Sequence, residues 1–239
     1  MKNLKFLVAA AMVMASTTAF AQFANSGNNS SSDDIVKGYD RMAISYNSYK
    51  LSPDYDDADD ISLNGVGVEW IHGFSLSSTT PIYLETGLKF MYGFKSEDGE
   101  ISVLCYDEYD DEFYYDYADG SVKTTVMNLA VPINLAYRFT FSGNSDLAIT
   151  PFTGVTLKGN LTAKQKYELD DYDDELEIDY FDKKDVGKDT AKRFQFGWQI
   201  GAGLSYKALY VGLSYGLDFS EFQKKVKTSN FALTLGYNF

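Results

Sequence analysis

The stretch Ile82-Tyr-Leu-Glu-Thr-Gly-Leu-Lys-Phe-Met-Tyr-Gly-Phe-Lys95 decides the fold. Its residues alternate between two faces, and the even-numbered face is almost entirely apolar: Ile82, Leu84, Thr86, Leu88, Phe90, Tyr92 and Phe94. The odd-numbered face is mixed and includes Glu85, Lys89 and two glycines. Because side chains of a β-strand alternate in this way, the stretch predicts one long strand with a single apolar side.

Seven further segments after residue 38 show the same period of two, and none shows a sustained helical stripe. Their apolar faces are Met42/Ile44/Tyr46, Val66/Val68/Trp70/Phe74, Met127/Leu129/Val131/Ile133/Leu135/Tyr137/Phe139, Leu147/Ile149/Val155/Leu157, Phe194/Phe196/Trp198/Ile200/Leu204/Tyr206, Leu209/Val211/Leu213/Tyr215/Leu217/Phe219 and Phe231/Leu233/Leu235/Tyr237/Phe239. The sequence therefore predicts an all-β protein with eight strands.

The connections between these strands alternate in length. Long connections lie around residues 51–60, 96–120, 162–190 and 220–227, and short ones at 75–80, 142–145 and 207–208. Long loops at one end and short turns at the other are typical of barrels in the outer membrane of Gram-negative cells. We therefore predict an eight-stranded antiparallel up-and-down transmembrane β-barrel, with the long loops extracellular and both termini periplasmic.

Glycine indicates which face meets lipid. Eleven of the 19 glycines lie on the non-apolar face of a strand: Gly65, Gly67, Gly87, Gly93, Gly154, Gly197, Gly201, Gly203, Gly212, Gly216 and Gly236. Glycine weakens a solvated strand, but the narrow interior of an eight-stranded barrel needs small residues beside the few large polar ones. This favours apolar side chains outside and polar side chains inside.

Aromatic residues cluster towards the strand ends. Tyr46, Tyr92, Phe94, Phe194, Phe196 and Phe219 lie towards the long loops, and Trp70, Tyr137, Phe139, Tyr206, Tyr237 and Phe239 towards the short turns. Two such belts are typical of membrane barrels, although aromatic residues also favour strands in general.

The last segment, Phe231-Ala-Leu-Thr-Leu-Gly-Tyr-Asn-Phe239, resembles the C-terminal signature of outer-membrane barrels. Together with Leu129-Ala-Val-Pro-Ile-Asn-Leu-Ala-Tyr-Arg-Phe139, Phe196-Gly-Trp-Gln-Ile-Gly-Ala-Gly-Leu-Ser-Tyr206 and Leu209-Tyr-Val-Gly-Leu-Ser-Tyr-Gly-Leu217, it is similar to the porin-like outer-membrane β-barrel family of Bacteroidota. The resemblance covers residues 38–239 and implies a channel. Eight strands, however, leave an interior that side chains can fill.

Composition and the N-terminal segment narrow the class of protein. One Cys, one His and a net charge of −13 among 239 residues exclude a disulfide scaffold, a Cys/His zinc site and a nucleic-acid-binding domain. Residues 1–21 have the basic start, short apolar run and Ala19-Phe20-Ala21 motif of a signal peptide. We predict a flexible polar leader over 22–37 and the barrel over 38–239.

Charged residues of both signs lie on the predicted inner face, which favours a network of buried ion pairs over an ion path. They are Arg41, Glu69, Glu85, Lys89, Arg138, Lys158, Arg193 and Asp218.

His72 shares the outer face of Trp70 and Phe74, where a catalytic base would face lipid headgroups. We therefore predict no catalytic residues, no enzymatic activity and no organic cofactor.

The three longest loops carry 26 of the 34 acidic residues. Weak candidates for Ca²⁺ or Mg²⁺ ligands, which are hard oxygen donors, are Asp56, Asp57, Asp110, Asp111, Asp173 and Asp174. The alternative, a solvated and self-repelling loop surface, is favoured because the spacing does not match an EF-hand. Tyrosines interleaved with these acids suit an adhesive surface, and the second and third hairpins are expected to continue as sheet beyond the bilayer.

Three functions remain open at this stage, and a fourth, an enzyme of the outer membrane, is the weakest because only His72 and unplaced carboxylates support it. The first is a monomeric outer-membrane barrel, in contact with lipid, with a filled lumen and acidic, Tyr-rich loops that contact an extracellular ligand or protein. The second is a porin for small solutes or cations, which requires an open lumen. The third is a soluble periplasmic barrel that binds a ligand as lipocalins do, which requires the apolar face to point inward.

Overall fold

The computed structural model describes residues 36–54, 59–107, 112–141, 144–169 and 175–239. The predicted signal peptide and nearly all of the predicted leader lie outside these residues, so both stay predictions.

The described residues form ten strands and one single-turn helix. In chain order these are β1 (Tyr39–Pro53), β2 (Ile61–Ser75), β3 (Ile82–Asp107), β4 (Glu112–Tyr137), β5 (Phe139–Phe141), β6 (Asn144–Leu169), β7 (Glu175–Asp179), α1 (Lys183–Val186), β8 (Phe194–Tyr206), β9 (Leu209–Asp218) and β10 (Val226–Asn238). Asp182 caps α1 by accepting a hydrogen bond from the amide of Lys184. No helix in the described part of the chain is long and apolar enough to cross a membrane.

Eight long strands close into a ring. Each pairs antiparallel with its neighbours along the chain, β4 pairs with β6, and β1 pairs with β10. Beyond the last strand, Asp40 and Phe239 exchange two backbone hydrogen bonds of 3.0 and 2.9 Å. β5 continues β4 after a break at Arg138, and β7 adds to the side of β6. The predicted all-β, up-and-down, eight-stranded barrel is confirmed, and the two additional strands are short.

The apolar face of each strand points outward, as predicted. Ile44 is 62% exposed and Leu235 56%, whereas the inward-facing Ile71 and Glu85 are 0% exposed. An exposed apolar surface that surrounds a closed sheet is what a bilayer requires, because closure leaves no unpaired strand edge in hydrocarbon.

The inner glycines allow close approach, and several make room for large side chains. A Cβ atom built on Gly203 would lie 2.1 Å from the Tyr210 ring, and one on Gly201 would lie 2.4 Å from the Phe152 ring. A Cβ on Gly154 would meet the Ile133 carbonyl oxygen at 2.1 Å. The predicted packing role of glycine is confirmed, but the large inner side chains include aromatic ones as well as polar ones.

The second and third hairpins continue as sheet beyond the barrel wall, as predicted. Pairing of β3 with β2 ends at Phe94, whereas pairing of β3 with β4 continues to Asp107 and Glu112. β4 also pairs with β6 as far as Leu169. We call residues 96–107, 112–123 and 164–169, together with β7, the projecting sheet, and the remainder of the eight long strands the wall.

A bulge lies between β4 and β6. Met127 pairs with Thr162 while Asn128 pairs with Asn160, so Leu161 is an extra residue in β6. Beyond it, the alternation of inward and outward side chains along β6 is shifted by one residue. As a result both Asn160 and Ala163 are buried inside.

Candidate functional site in the barrel interior

The interior contains two apolar layers with a polar layer between them. The layer at the long-loop end is built around Tyr49, Leu63, Val126 and Phe222, and that at the short-turn end around Tyr83, Ala136 and Phe152. Six of the eight charged side chains predicted to face inward lie between or beside these layers. Because they are far from bulk water, each must find a partner within the barrel.

Glu85 is the most deeply buried carboxylate among the described residues. Its Oε1 lies 3.3 Å from Nη1 of Arg41 and accepts a hydrogen bond from the Tyr39 hydroxyl, and its Oε2 accepts one from Asn134 at 3.5 Å. Gln199 in turn donates to Oδ1 of Asn134 at 2.6 Å. Side chains from four different strands thus cross the lumen at this level.

The Arg41 guanidinium has an additional aromatic partner. Its central carbon lies 4.0 Å from the centre of the Tyr210 ring, close enough for a cation–π interaction. Gly203 and Gly212 leave the space that the Tyr210 ring occupies. The glycine pattern and the buried charge are therefore parts of one packing arrangement.

A second buried pair joins Lys158 to Asp218. The Lys158 amine also donates to the hydroxyls of Tyr49 and Thr228, each at 3.4 Å, while Thr228 donates to Asp218. Gln195 extends the cluster by donating to Thr228 at 3.2 Å. Both charges are therefore satisfied by several hydrogen bonds, which a buried pair needs.

The third pair is Lys89 with Glu69, at 3.2 Å, on facing positions of β2 and β3. Beside it a polar cavity of about 90 Å³ occupies the middle of the lumen. Thr156 Oγ1 and Asn230 Oδ1 are buried there without a hydrogen-bond partner in the described protein. Such a cavity is polar and large enough to hold a few water molecules.

Six of the eight charged residues predicted for the inner network form these three pairs. The prediction that Arg193 points inward is wrong. Arg193 is exposed, donates to the Leu161 carbonyl at 3.2 Å and lies over the Phe181 ring at 4.1 Å. Arg138 is half-buried at the break between β4 and β5 and forms no part of the three pairs. Both residues lie just outside a strand, where alternation no longer fixes direction.

Aromatic side chains from the long connections close the long-loop end of the lumen. Phe222 is 4% exposed there, with Phe181 and Tyr180 packed against the same layer. Backbone hydrogen bonds hold this cap: Lys192 donates to the Phe222 carbonyl at 2.6 Å, and Ala191 to the Tyr180 carbonyl at 2.7 Å. This cap, formed by Phe222, Phe181 and Tyr180, was not predicted from the sequence, although single aromatic residues within polar loops indicated it.

His72 lies on the outer surface near the short-turn end, as predicted. Its Nδ1 is 2.9 Å from Oδ1 of Asp40, and its ring packs edge-on against Phe74 with centroids 4.2 Å apart. The partnership with Asp40 was not foreseen.

The six predicted metal ligands, Asp56, Asp57, Asp110, Asp111, Asp173 and Asp174, all lie outside the described residues, so metal binding stays a prediction. Within the projecting sheet, Glu168, Glu175 and Glu177 pair with lysines. Hydrogen bonds from Lys123 and Lys166 lower the pKa of Glu168 below its usual range, and a hydrogen bond to Glu177 raises the pKa of Lys164.

Comparison with known proteins is consistent with this architecture. Residues 44–223 match the family model described as the outer membrane protein beta-barrel domain. Among solved structures, the chain is similar to Ail, the attachment invasion locus protein of Yersinia pestis, with 15% identity, a TM-score of 0.39, and coverage of 85% of this chain and 99% of Ail. Neisserial surface protein A matches with 12% identity, a TM-score of 0.41, and coverage of 84% and 95%.

The N-terminal barrel domain of Pseudomonas aeruginosa OprF matches with 14% identity, a TM-score of 0.29, and coverage of 85% of this chain and 100% of the domain. No sequence among the curated proteins matches this chain. At these identities and TM-scores the three structures have no bearing on ligands or partners of this chain.

Proposed function

Because the chain belongs to the outer membrane protein beta-barrel domain family, we propose that it is a non-conducting barrel of the outer membrane that presents an acidic, Tyr-rich surface to the cell exterior. Its role on this proposal is structural or adhesive and involves no chemical reaction. The filled interior is the observation that carries the proposal.

Two barriers in the lumen support a closed barrel. At one level Arg41, Glu85 and Asn134 bridge the interior by hydrogen bonds, and at the long-loop end Phe222 covers it. The polar cavity at mid-height of the lumen is about 90 Å³. The porin alternative requires both barriers to open at once.

The lipocalin-like alternative needs the apolar face to point inward. The outward direction of Ile44, Leu213 and Leu235 argues against it. Assignment to the Bacteroidota and the monomeric state stay predictions from the sequence.

Conductance in planar lipid bilayers tests the closed lumen. We expect no steady conductance from the refolded mature chain, whereas a trimeric porin prepared in the same way provides the positive control. A stable conductance step from wild-type protein, reproduced after removal of contaminating porins, would contradict the proposal and support the porin alternative.

Cysteine labelling on whole cells tests the orientation. In a Cys105→Ser background, a membrane-impermeant maleimide should label Lys188→Cys, which is exposed beside α1, and should not label Lys207→Cys in the turn between β8 and β9. Both positions should react after cell lysis. The reverse pattern on whole cells would place the acidic loops on the periplasmic side.

A further inference from the structure

A second cavity, of about 300 Å³, lies at the long-loop end of the lumen. Val126 and Ala163, each 1% exposed, line it together with Leu51 and the buried Phe222. Ile61 and Val226, which are half-buried, form part of its border. The bulge at Leu161 contributes to this cavity, because it turns the Ala163 methyl group inward.

The size of this cavity is unusual for the barrel. Elsewhere large side chains such as Phe152 and Tyr210 occupy the space beside the glycines, and the polar cavity at mid-height is about 90 Å³. Protein interiors contain few voids larger than a water molecule. An apolar cavity of roughly 150 Å³ accepts benzene, so a mainly apolar one of about 300 Å³ has room for one or two rings.

Four of the five polar side chains that border the cavity have hydrogen-bond or ion-pair partners, and Thr124 is the fifth. The Tyr180 hydroxyl donates to Gln165 at 2.6 Å, Gln223 donates to the Asp189 carbonyl at 2.6 Å, and the Lys164 amine pairs with Glu177. An anionic ligand would have to displace Glu177, and the acidic loops would repel it during approach. An uncharged ligand faces neither obstacle.

We propose that this cavity is a binding site for a small, uncharged, apolar molecule of one or two rings. The ligand enters from the long-loop side and displaces no ion pair, and its rings contact Val126, Ala163 and Phe222. This site goes beyond the proposed surface role and does not depend on whether the lumen conducts ions.

Methyl-resolved NMR of the mature chain in lipid nanodiscs tests the site, with indole as the probe and indole-3-acetate as its anionic counterpart. Indole should shift the Val126 and Val226 methyl signals along a saturable 1:1 curve. The lipid-facing Leu213 methyl groups should show only the linear change caused by partition into the bilayer. We expect indole-3-acetate to bind at least about tenfold more weakly.

Two matched substitutions complete the test. Ala163→Leu fills the cavity and should weaken indole binding at least about tenfold, whereas Ala202→Leu makes the same change on the lipid-facing side of β8 and should leave it unaltered. If Ala163→Leu does not fold, Val226→Trp at the border of the cavity replaces it with the same expectation. An absence of saturable shifts in the wild type, or equal affinity in the filled variant, would overturn the proposal.

Discussion

The wall and the projecting sheet are built from the same continuous strands, yet different interactions hold them together. In the wall, apolar side chains face outward and charges are buried in the interior, as with Glu85 at 0% exposure. In the projecting sheet, ion pairs such as Lys164 with Glu177 are partly exposed, at 38% and 50%. The same antiparallel backbone hydrogen bonding therefore continues from the wall into the projecting sheet, and only the side chains differ between the two regions.

The largest expected difference between the two regions concerns removal of one charge from an ion pair. Glu85→Leu leaves Arg41 buried without its carboxylate, which should lower the free energy of unfolding by about 3–5 kcal/mol. Glu177→Leu removes a half-exposed partner and should change it by about 0–1 kcal/mol. Urea unfolding in phospholipid vesicles measures both.

The double substitution Arg41→Leu with Glu85→Leu is the control for this interpretation. It should restore part of the loss, because no uncompensated charge remains. Equal losses for Glu85→Leu and Glu177→Leu would show that burial does not distinguish the two regions.

The second-largest expected difference between the wall and the projecting sheet concerns a charge placed on the outer surface. Leu235→Arg puts a guanidinium into hydrocarbon and should reduce stability by about 2–4 kcal/mol if the position is near the midplane. Leu176→Arg makes the same change in β7, where Leu176 is 61% exposed, and should stay within about 0.5 kcal/mol. The same urea titration measures this, and a large loss at Leu176 would mean that the projecting sheet also lies in lipid.

Glycine substitution gives a smaller contrast. Gly154→Ala brings a Cβ atom against the Ile133 carbonyl and the Asn134 amide oxygen, at 2.1 and 2.6 Å, and should reduce stability by about 1–3 kcal/mol. Gly99→Ala in the projecting sheet meets nothing within 4 Å and should be neutral or slightly stabilising. Thermal unfolding followed by the heat-dependent shift in gel mobility compares them, and a neutral Gly154→Ala would contradict the packing role of the inner glycines.

The smallest effect is a pH dependence confined to the projecting sheet. The pKa of Glu168 is lowered by hydrogen bonds from Lys123 and Lys166. A carboxylate with a lowered folded-state pKa contributes stability above its unfolded value, roughly 4.3, and loses it as pH falls through the folded-state value. We expect amide NMR signals of Ser121 and Lys123, which face Glu168 and Lys166, to change below about pH 4.

Glu168→Gln is the matched control for this titration. It removes the titrating group while keeping its size, so these two amide signals should lose most of their pH response. An unchanged response in Glu168→Gln would assign the titration to a different group.

The alternation of side chains correctly predicted which residues of the wall point inward and which point outward, because side-chain direction in a strand depends only on local backbone geometry. The inward direction of Glu85 and Lys158 and the outward direction of Leu235 all follow from counting by two. The same count fails just past a strand end, where the backbone turns, and this is why Arg193 was wrongly placed inside.

The cap and the cavity beneath it were beyond such local reasoning. Phe222 and Phe181 lie in connections outside the predicted strands, and their rings meet, with centroids 6.4 Å apart, only because β6, β8, β9 and β10 follow one another in the closed ring. Tyr210 was missed for another reason. An aromatic residue on a mostly polar face does not disturb the pattern, and only Gly203 and Gly212, the next inward pair along β8 and β9, indicate the space it needs.

The seam between β1 and β10 has a consequence for the order in which the ring can form. Asp40 and Phe239 meet across almost the whole described chain, so the ring is complete only when the final strand has docked. Contacts between residues so distant in sequence are slow to form, and until then β1 and β9 each retain an unpaired edge that hydrocarbon does not tolerate. We therefore expect the pairing of β10 with β1 to be the late step of barrel assembly.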